Sequence, residues 1–480
     1  MMIDKKDLGK LFFCGFNYFD ENTYNLIRKY SPAGLLVYPG DMNNSYELIN
    51  VFERISELQN EGMEFLVCSD HEGGQLETIP LVPTTPGNFV YGNNGNNEMI
   101  EKYAATAAKY MKLAGFNMVF SPVLDIYHEG TSPVVGFRTF GKDPQKVAEN
   151  AKYMIKGYEN NGVASCAKHY PGHGRAIEDS HENLPRINVS LEELMETDLV
   201  PFRKCVESGV ESIMTAHLIF SDIDEYPATI SNVFVKDILR DKFGFEGVII
   251  TDALEMKAMS ENYSKEEIVK RFFNAGGDML MIGWGNLMLE DFAETLYRLI
   301  ENGEVDIENI KKSIARVEKL MKKYSSSENI GFLKNFSQDA FDFNLDGLEK
   351  SFDKVYLISP QPANLSMADI TARDYSMIKG NVSKYFDLED VIYYDLRNAE
   401  TSKSISEISE NSLIIDVVVD AFRSENLLAL HKNIAEKSSN VVYLILRDPK
   451  DIEFFKNSNY IATFSSNALA VSKAMELIKP

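Results

Sequence analysis

A chain of 480 residues exceeds what one hydrophobic core usually serves, and 44% hydrophobic with 25% charged residues is globular composition, so two domains are expected and a disordered or fibrous chain is excluded. A formal charge of -23, from 72 acidic against 49 basic residues, repels a phosphate backbone and excludes nucleic acid as an expected partner. Cys14, Cys68, Cys166 and Cys205 are too scattered for a disulfide framework; no apolar run reaches membrane-spanning length and Met1 to Phe13 lacks a secretory core, so a cytoplasmic protein with no membrane partner is expected.

Up to about Gly303, short apolar runs alternate with longer amphipathic ones, the rhythm of a parallel sheet covered by helices. The strand candidates are Leu11 to Phe16, Gly34 to Tyr38, Phe65 to Asp70, Asn117 to Pro122, Ala164 to His169, Ser212 to His217, Gly247 to Asp252 and Met279 to Trp284. Eight is the count of a TIM-type (β/α)8 barrel. Between them, Asn44 to Gly62, Met99 to Gly115, Pro144 to Gly162, Leu191 to Gly209, Lys265 to Gly276 and Leu287 to Gly303 have helical apolar spacing and stop at glycine. Ile307 to Tyr324 closes a barrel domain, 1–325. The polar run Ser325 to Asn329 opens a linker, 326–347, and a smaller three-layer α/β/α sandwich follows over 348–480. Its strand-like runs are Val355 to Ser359, Val391 to Leu396, Ser412 to Val419, Val441 to Leu446 and Ile461 to Ser465, with helical stretches Asn426 to Lys437 and Ala468 to Leu477.

Barrels of this kind gather their chemistry at the carboxyl ends of the strands. Polar residues close or follow these apolar runs: Asp70 ends the third, Asp125 follows the fourth, Lys168 and His169 end the fifth, His217 the sixth, Asp252 the seventh and Trp284 the eighth. Each costs desolvation energy unless paired or used, and any one alone has a structural role open to it; their convergence on one rim points to a site. The fifth run leads into a polar stretch, Lys168 to His181, holding three of the seven histidines. In it, Asp179 and His181 stand two apart, so that the carboxylate can fix the imidazole tautomer and stabilise its protonated form, which is acid/base machinery near neutral pH. Asp252 at a strand end can aim a carboxylate at an electrophilic carbon. One carboxylate nucleophile and one proton donor suffice for double displacement at an anomeric centre.

The stretch Lys168 to His181, KHYPGHGRAIEDSH, resembles family 3 glycoside hydrolases of the bacterial β-N-acetylglucosaminidase branch, whose hallmark is K-H-F-P-G-H-G-x-x-x-x-D-S-H. Supporting blocks are SDHEGGQ from Ser69, SPVLDI from Ser121, SPVVGFRTFG from Ser132, MTAHL from Met214, PATIS from Pro227 and TDALEM from Thr251, and more weakly LRDPKDIEFF and the closing helix. The resemblance implies that Asp252 forms a glycosyl-enzyme while Asp179 and His181 protonate the leaving sugar and then activate water. It implies that Asp70, Arg138, Lys168 and His169 grip the terminal sugar, with His217 and Met256 lining the same pocket. It implies a small N-acetylglucosamine-containing glycan as substrate, a cell-wall fragment or chito-oligosaccharide, with no cofactor and no metal. The chain departs from the branch at Arg175-Ala176, where Asp-Thr is usual, and at Gln75 and Thr78, where arginines are expected. Three rivals remain: a glycoside phosphorylase on the same fold, a silent sugar-binding protein, and a metal-dependent amidohydrolase-type barrel. The last would supply His-x-His from its first strand, where this chain has LFFCGF.

Overall fold

The computed structural model describes residues 4–16, 21–38, 45–79, 82–83, 85–94, 96–129, 135–177, 184–283, 287–324, 342–361, 378–446, 448–463 and 468–479. It divides into two compact units, Met1–Gly331 and Phe332–Pro480.

In the first unit, strands Phe12–Gly15, Gly34–Leu36, Leu66–Cys68, Met118–Val119, Ala164–Tyr170, Ser212–Thr215, Val248–Ala253 and Met279–Ile282 stand where the eight apolar runs placed them. They form one parallel sheet in which the first strand lies between the second and the eighth, and chain neighbours otherwise follow one another round to the fourth. The third and fourth strands meet through Asn117. Its amide oxygen accepts from the Val67 N–H at 2.7 Å, its amide nitrogen donates to the Phe65 carbonyl at 2.8 Å, and its backbone N–H donates to the Val67 carbonyl at 3.1 Å. A side chain thus replaces missing ladder bonds, and the sheet comes round as a (β/α)8 barrel. Strand side chains on both faces are buried, which explains why the runs read as continuously apolar rather than alternating.

The covering helices follow their sequence signals. In Pro144–Glu159, Asp143 accepts from the N–H groups of Gln145 and Lys146, Pro144 takes the first turn, and Val147, Ala151, Met154, Ile155 and Tyr158 form the buried stripe. The expected helix Leu191 to Gly209 is instead two, Leu191–Glu196 and Leu199–Glu207. Pro201 explains the break: in an unbroken helix it could donate nothing to the Thr197 carbonyl and its ring would collide there, so the helix restarts with Pro201 in its first turn. Val233–Lys242, wound with i→i+5 hydrogen bonds, was not anticipated.

In the second unit, five parallel strands, Lys354–Pro360, Leu388–Tyr394, Ser412–Val418, Val441–Ile445 and Asn459–Ala462, share a sheet with an antiparallel edge strand, Asp342–Asn344. That edge strand falls inside the stretch read as linker, whose earlier residues, 326–341, lie outside the described ones. Along Ser412–Val418 the side chains alternate between two apolar layers. Leu413, Ile415 and Val417 join Val471, Ala474 and Met475 of the last helix; Ile414 and Val418 join Leu427, Leu430 and Ile434 of the helix Glu425–Ala435. Helix, sheet and helix make the three-layer sandwich.

Candidate active site

A cavity of about 560 Å³ opens at the carboxyl ends of the barrel strands. Asp70, Arg138, Lys168, His169, Asp252 and Met256 all line it, joined by Tyr38, His173 and Glu255, which the sequence did not single out. Asp179 and His181 lie outside the described residues, as does Trp284. His217 is fully buried and absent from the lining: its Nδ1 meets the Thr229 hydroxyl at 2.8 Å and its Nε2 the Ala253 carbonyl at 3.0 Å, so it backs the wall that carries Asp252.

One side of the cavity is a chain of charge pairs centred on Glu72. The turn after the third strand needs left-handed backbone at Gly73 and Gly74, which glycine adopts without penalty, and it carries Glu72 into the barrel mouth. Arg138 donates to both Glu72 oxygens, each at 2.7 Å, and Lys168 Nζ lies 2.7 Å from Glu72 Oε1 and 2.6 Å from Asp70 Oδ1. Burial opposes ionisation of Glu72, but Lys168 and Arg138 outweigh it and hold the carboxyl well below its ordinary value. Burial likewise opposes the charge on Lys168; Asp70 and Glu72 raise its pKa above the usual lysine range. The ammonium is therefore fixed, charged and nearly inaccessible, 1% exposed, with its shape set before any ligand arrives. In the sequence Glu72 was visible only as a member of the SDHEGGQ block; nothing local announces that both cations converge on it.

His169 is oriented from behind. Its Nδ1 lies 2.7 Å from Asp125 Oδ2, while Asp125 Oδ1 accepts the backbone N–H groups of His169 at 3.2 Å and His173 at 2.6 Å. Against its burial, His169 and His173 hold the Asp125 carboxyl below the usual range. This fixes the His169 ring so that Nε2, 3.5 Å from Arg138 Nη2, faces the cavity side. Burial, with His169 alongside, lowers the pKa of His173 against the pull of Asp125.

Asp252 lines the cavity from the end of the seventh strand, where Oδ1 accepts the Ala253 N–H at 2.8 Å. Burial would favour its acid form; His169, His217, the Ala253 N–H and Lys168 outweigh that and hold it below the ordinary aspartate value. An ionised carboxylate at the mouth of an apolar strand has the character of a nucleophile. Three residues on, burial with Asp252 close by pushes Glu255 up to about 7.

The four departures from the branch pattern separate cleanly. Thr78 lines the cavity, its hydroxyl 3.0 Å from Ser69 Oγ. Gln75 is exposed, Ala176 is buried and Arg175 is turned towards the helices Leu191–Glu196 and Leu199–Glu207; none of these three lines the cavity.

Residues 2–320 match the glycosyl hydrolase family 3 N-terminal domain, and residues 353–478 match the β-N-acetylglucosaminidase C-terminal domain. This chain belongs to glycosyl hydrolase family 3. It is a glycoside hydrolase of the β-N-acetylglucosaminidase branch, consistent with its likeness to the crystal structure of the β-N-acetylglucosaminidase from Thermotoga maritima: 39% identity, 98% of this chain and 99% of that one covered, TM-score 0.84. CbsA from Thermotoga neapolitana, solved alone and with zinc bound, is 35% identical over 98% of this chain and 99% of its own. The TM-scores are 0.84 and 0.85 respectively. The β-hexosaminidase of Neisseria meningitidis serogroup C is 33% identical over 263 residues, 52% of this chain and 71% of that protein. Among the described residues no three His, Cys, Asp or Glu side chains gather as a metal site, and no helix is long and apolar enough to cross a membrane.

Proposed function

We propose that the chain is a retaining exo-β-N-acetylglucosaminidase acting on short glycans, cell-wall fragments or chito-oligosaccharides. The observation that carries this reading is the cavity itself. An ionised Asp252 lines the same cavity of about 560 Å³ as a pre-paired grip of Asp70, Arg138, Lys168 and His169. The grip can hold sugar hydroxyls and the acetamido group without reorganising, because its charges are already neutralised by Glu72 and Asp125.

In this mechanism Asp252 attacks the anomeric carbon as the glycosidic C–O bond breaks, and the departing oxygen takes a proton from His181, whose imidazolium Asp179 stabilises. The resulting glycosyl ester is opened when His181, now neutral, removes a proton from water as that water attacks the same carbon. Asp252 is regenerated and β configuration is retained. The roles of Asp179 and His181 rest on the match of KHYPGHGRAIEDSH to the branch hallmark.

The test is a panel of nitrophenyl glycosides assayed with and without inorganic phosphate. N-acetylglucosaminide cleaved far faster than glucoside or xyloside, with N-acetylglucosamine as product, is the expected result. Preferred cleavage of another sugar, or sugar 1-phosphate as product, contradicts it.

A further inference from the structure

The loop that carries Asp179 and His181 leaves the barrel through a stem, residues 171–177, that is held from two directions. On the inner side the His173 N–H is bound to Asp125. On the outer side Arg175 reaches the break between helices Leu191–Glu196 and Leu199–Glu207: Nε donates to Asp198 Oδ2 at 2.7 Å, Nη2 to the Thr197 hydroxyl at 3.1 Å, and Nη1 lies 2.8 Å from Glu193 Oε1. The Asp198 side chain is fully buried, and its second oxygen lies 3.1 Å from His128 Nε2. Burial opposes its ionisation, but His128 and Arg175 hold it below the ordinary aspartate value, so Arg175 balances a buried negative charge. The stem is too tight to find another seat. A Cβ on Gly174 would lie 1.8 Å from the Ile126 carbonyl oxygen, and one on Gly172 would lie 3.0 Å from the Asp198 Cβ. Past the loop the chain is fixed again, with Ile219 donating to the Pro185 carbonyl at 3.0 Å and Arg186–Ile187 paired in parallel with Ile219–Phe220.

Arg175 is thus four residues before Asp179 and six before His181, lines no part of the cavity, and stands where the branch usually has aspartate. We propose that Arg175 is a positioning residue for proton transfer: through Asp198 it fixes the stem from which the acid/base pair is presented to the leaving oxygen. This rests on the reading of Asp179 and His181 as that pair. A fixed stem matters most where the leaving group needs its proton, because a donor misplaced by even a fraction of a bond length transfers poorly.

The experiment measures kcat/KM for aryl N-acetylglucosaminides from dinitrophenyl to unsubstituted phenyl leaving groups, with wild type, Arg175→Met, Arg175→Lys, Arg175→Met/Asp198→Asn and His181→Ala. The double variant removes both charges and avoids leaving Asp198 buried alone, so it decides the question if Arg175→Met does not fold. Expected are a loss of about tenfold or more on the phenyl glycoside with about threefold or less on the dinitrophenyl one, and a steeper dependence on leaving-group pKa. Arg175→Lys should recover part of the loss. A folded double variant with the wild-type dependence, or with equal losses on every leaving group, overturns the proposal while His181→Ala steepens the dependence. If His181→Ala itself leaves the dependence unchanged, the acid/base reading fails and the proposal fails with it.

Discussion

Asp125 with His169 in the barrel, and Asp416 with His431 in the second unit, are nearly the same pair in isolation: Nδ1 meets Oδ2 at 2.7 Å in one and 2.8 Å in the other. Their surroundings set them apart. Asp125 also accepts two backbone N–H groups, and its carboxyl is held below the usual range against its burial. Asp416 sits in an apolar layer with Oδ1 unpartnered, as is His431 Nε2, and burial pushes its carboxyl up despite His431. The first pair spends its charge aiming a ring at a cavity; the second is a sealed substitute for apolar packing. An aspartate–histidine contact is therefore not a site by itself. What makes one is a charged form stabilised by further donors, next to space that a ligand can enter.

Four substitutions sharpen this contrast, in order of expected effect. Asp252→Ala removes the proposed nucleophile from the cavity that His169 also lines, and initial rates on an activated aryl N-acetylglucosaminide should fall about 1000-fold or more with the fold intact. Asp125→Asn should keep the fold but loosen the His169 ring, lowering kcat/KM about 100-fold. Asp416→Ala should do the reverse, leaving kcat/KM within error while lowering second-unit stability by about 1–3 kcal/mol in denaturant melts, because His431 is then buried without its partner. Loss of activity at full folding in Asp416→Ala, or none in Asp125→Asn, breaks the comparison.

The smallest effect is expected at Glu255. Its folded carboxyl favours the proton up to about 7, above the ordinary glutamate value of 4.5, so the native state binds more protons than the unfolded chain in that window. Stability from this group is full below the ordinary value and is lost as pH rises through about 7. Glu255→Gln cannot lose it, and melting temperatures taken from pH 5 to pH 8 should diverge in favour of the variant. A constant difference across that range contradicts the assignment.

The sequence carried most of the fold for a physical reason. Each barrel strand is buried on both faces, so it reads as an apolar run, and the third, fifth, sixth and seventh runs end in Asp70, His169, His217 and Asp252 at the barrel's carboxyl rim. The exceptions are equally physical. The break at Thr197–Asp198 is encoded by Pro201, inside an otherwise continuous helical stripe. The edge strand Asp342–Asn344 is three residues long and largely exposed, so it has no apolar signature, and it is identified only by its pairing with Asn459–Ala462. The same distinction runs through the site. Asp70, Lys168, His169 and Asp252 announce themselves at strand ends, whereas Glu72 acquires its role from Arg138 and Lys168 far along the chain and Glu255 from burial beside Asp252. The family resemblance put His217 in the pocket lining, yet hydrogen bonds to Thr229 and Ala253 turn it into the wall's support.

The central claim, that Asp252 attacks the sugar carbon, is tested most directly by trapping the intermediate. A 5-fluoro N-acetylglucosaminyl fluoride, which slows breakdown of the glycosyl ester, should inactivate the enzyme with time, and peptide mapping by mass spectrometry should find the added sugar on Asp252. A stable adduct on another residue, or steady turnover of the reagent by Asp252→Ala at the wild-type rate, would contradict it.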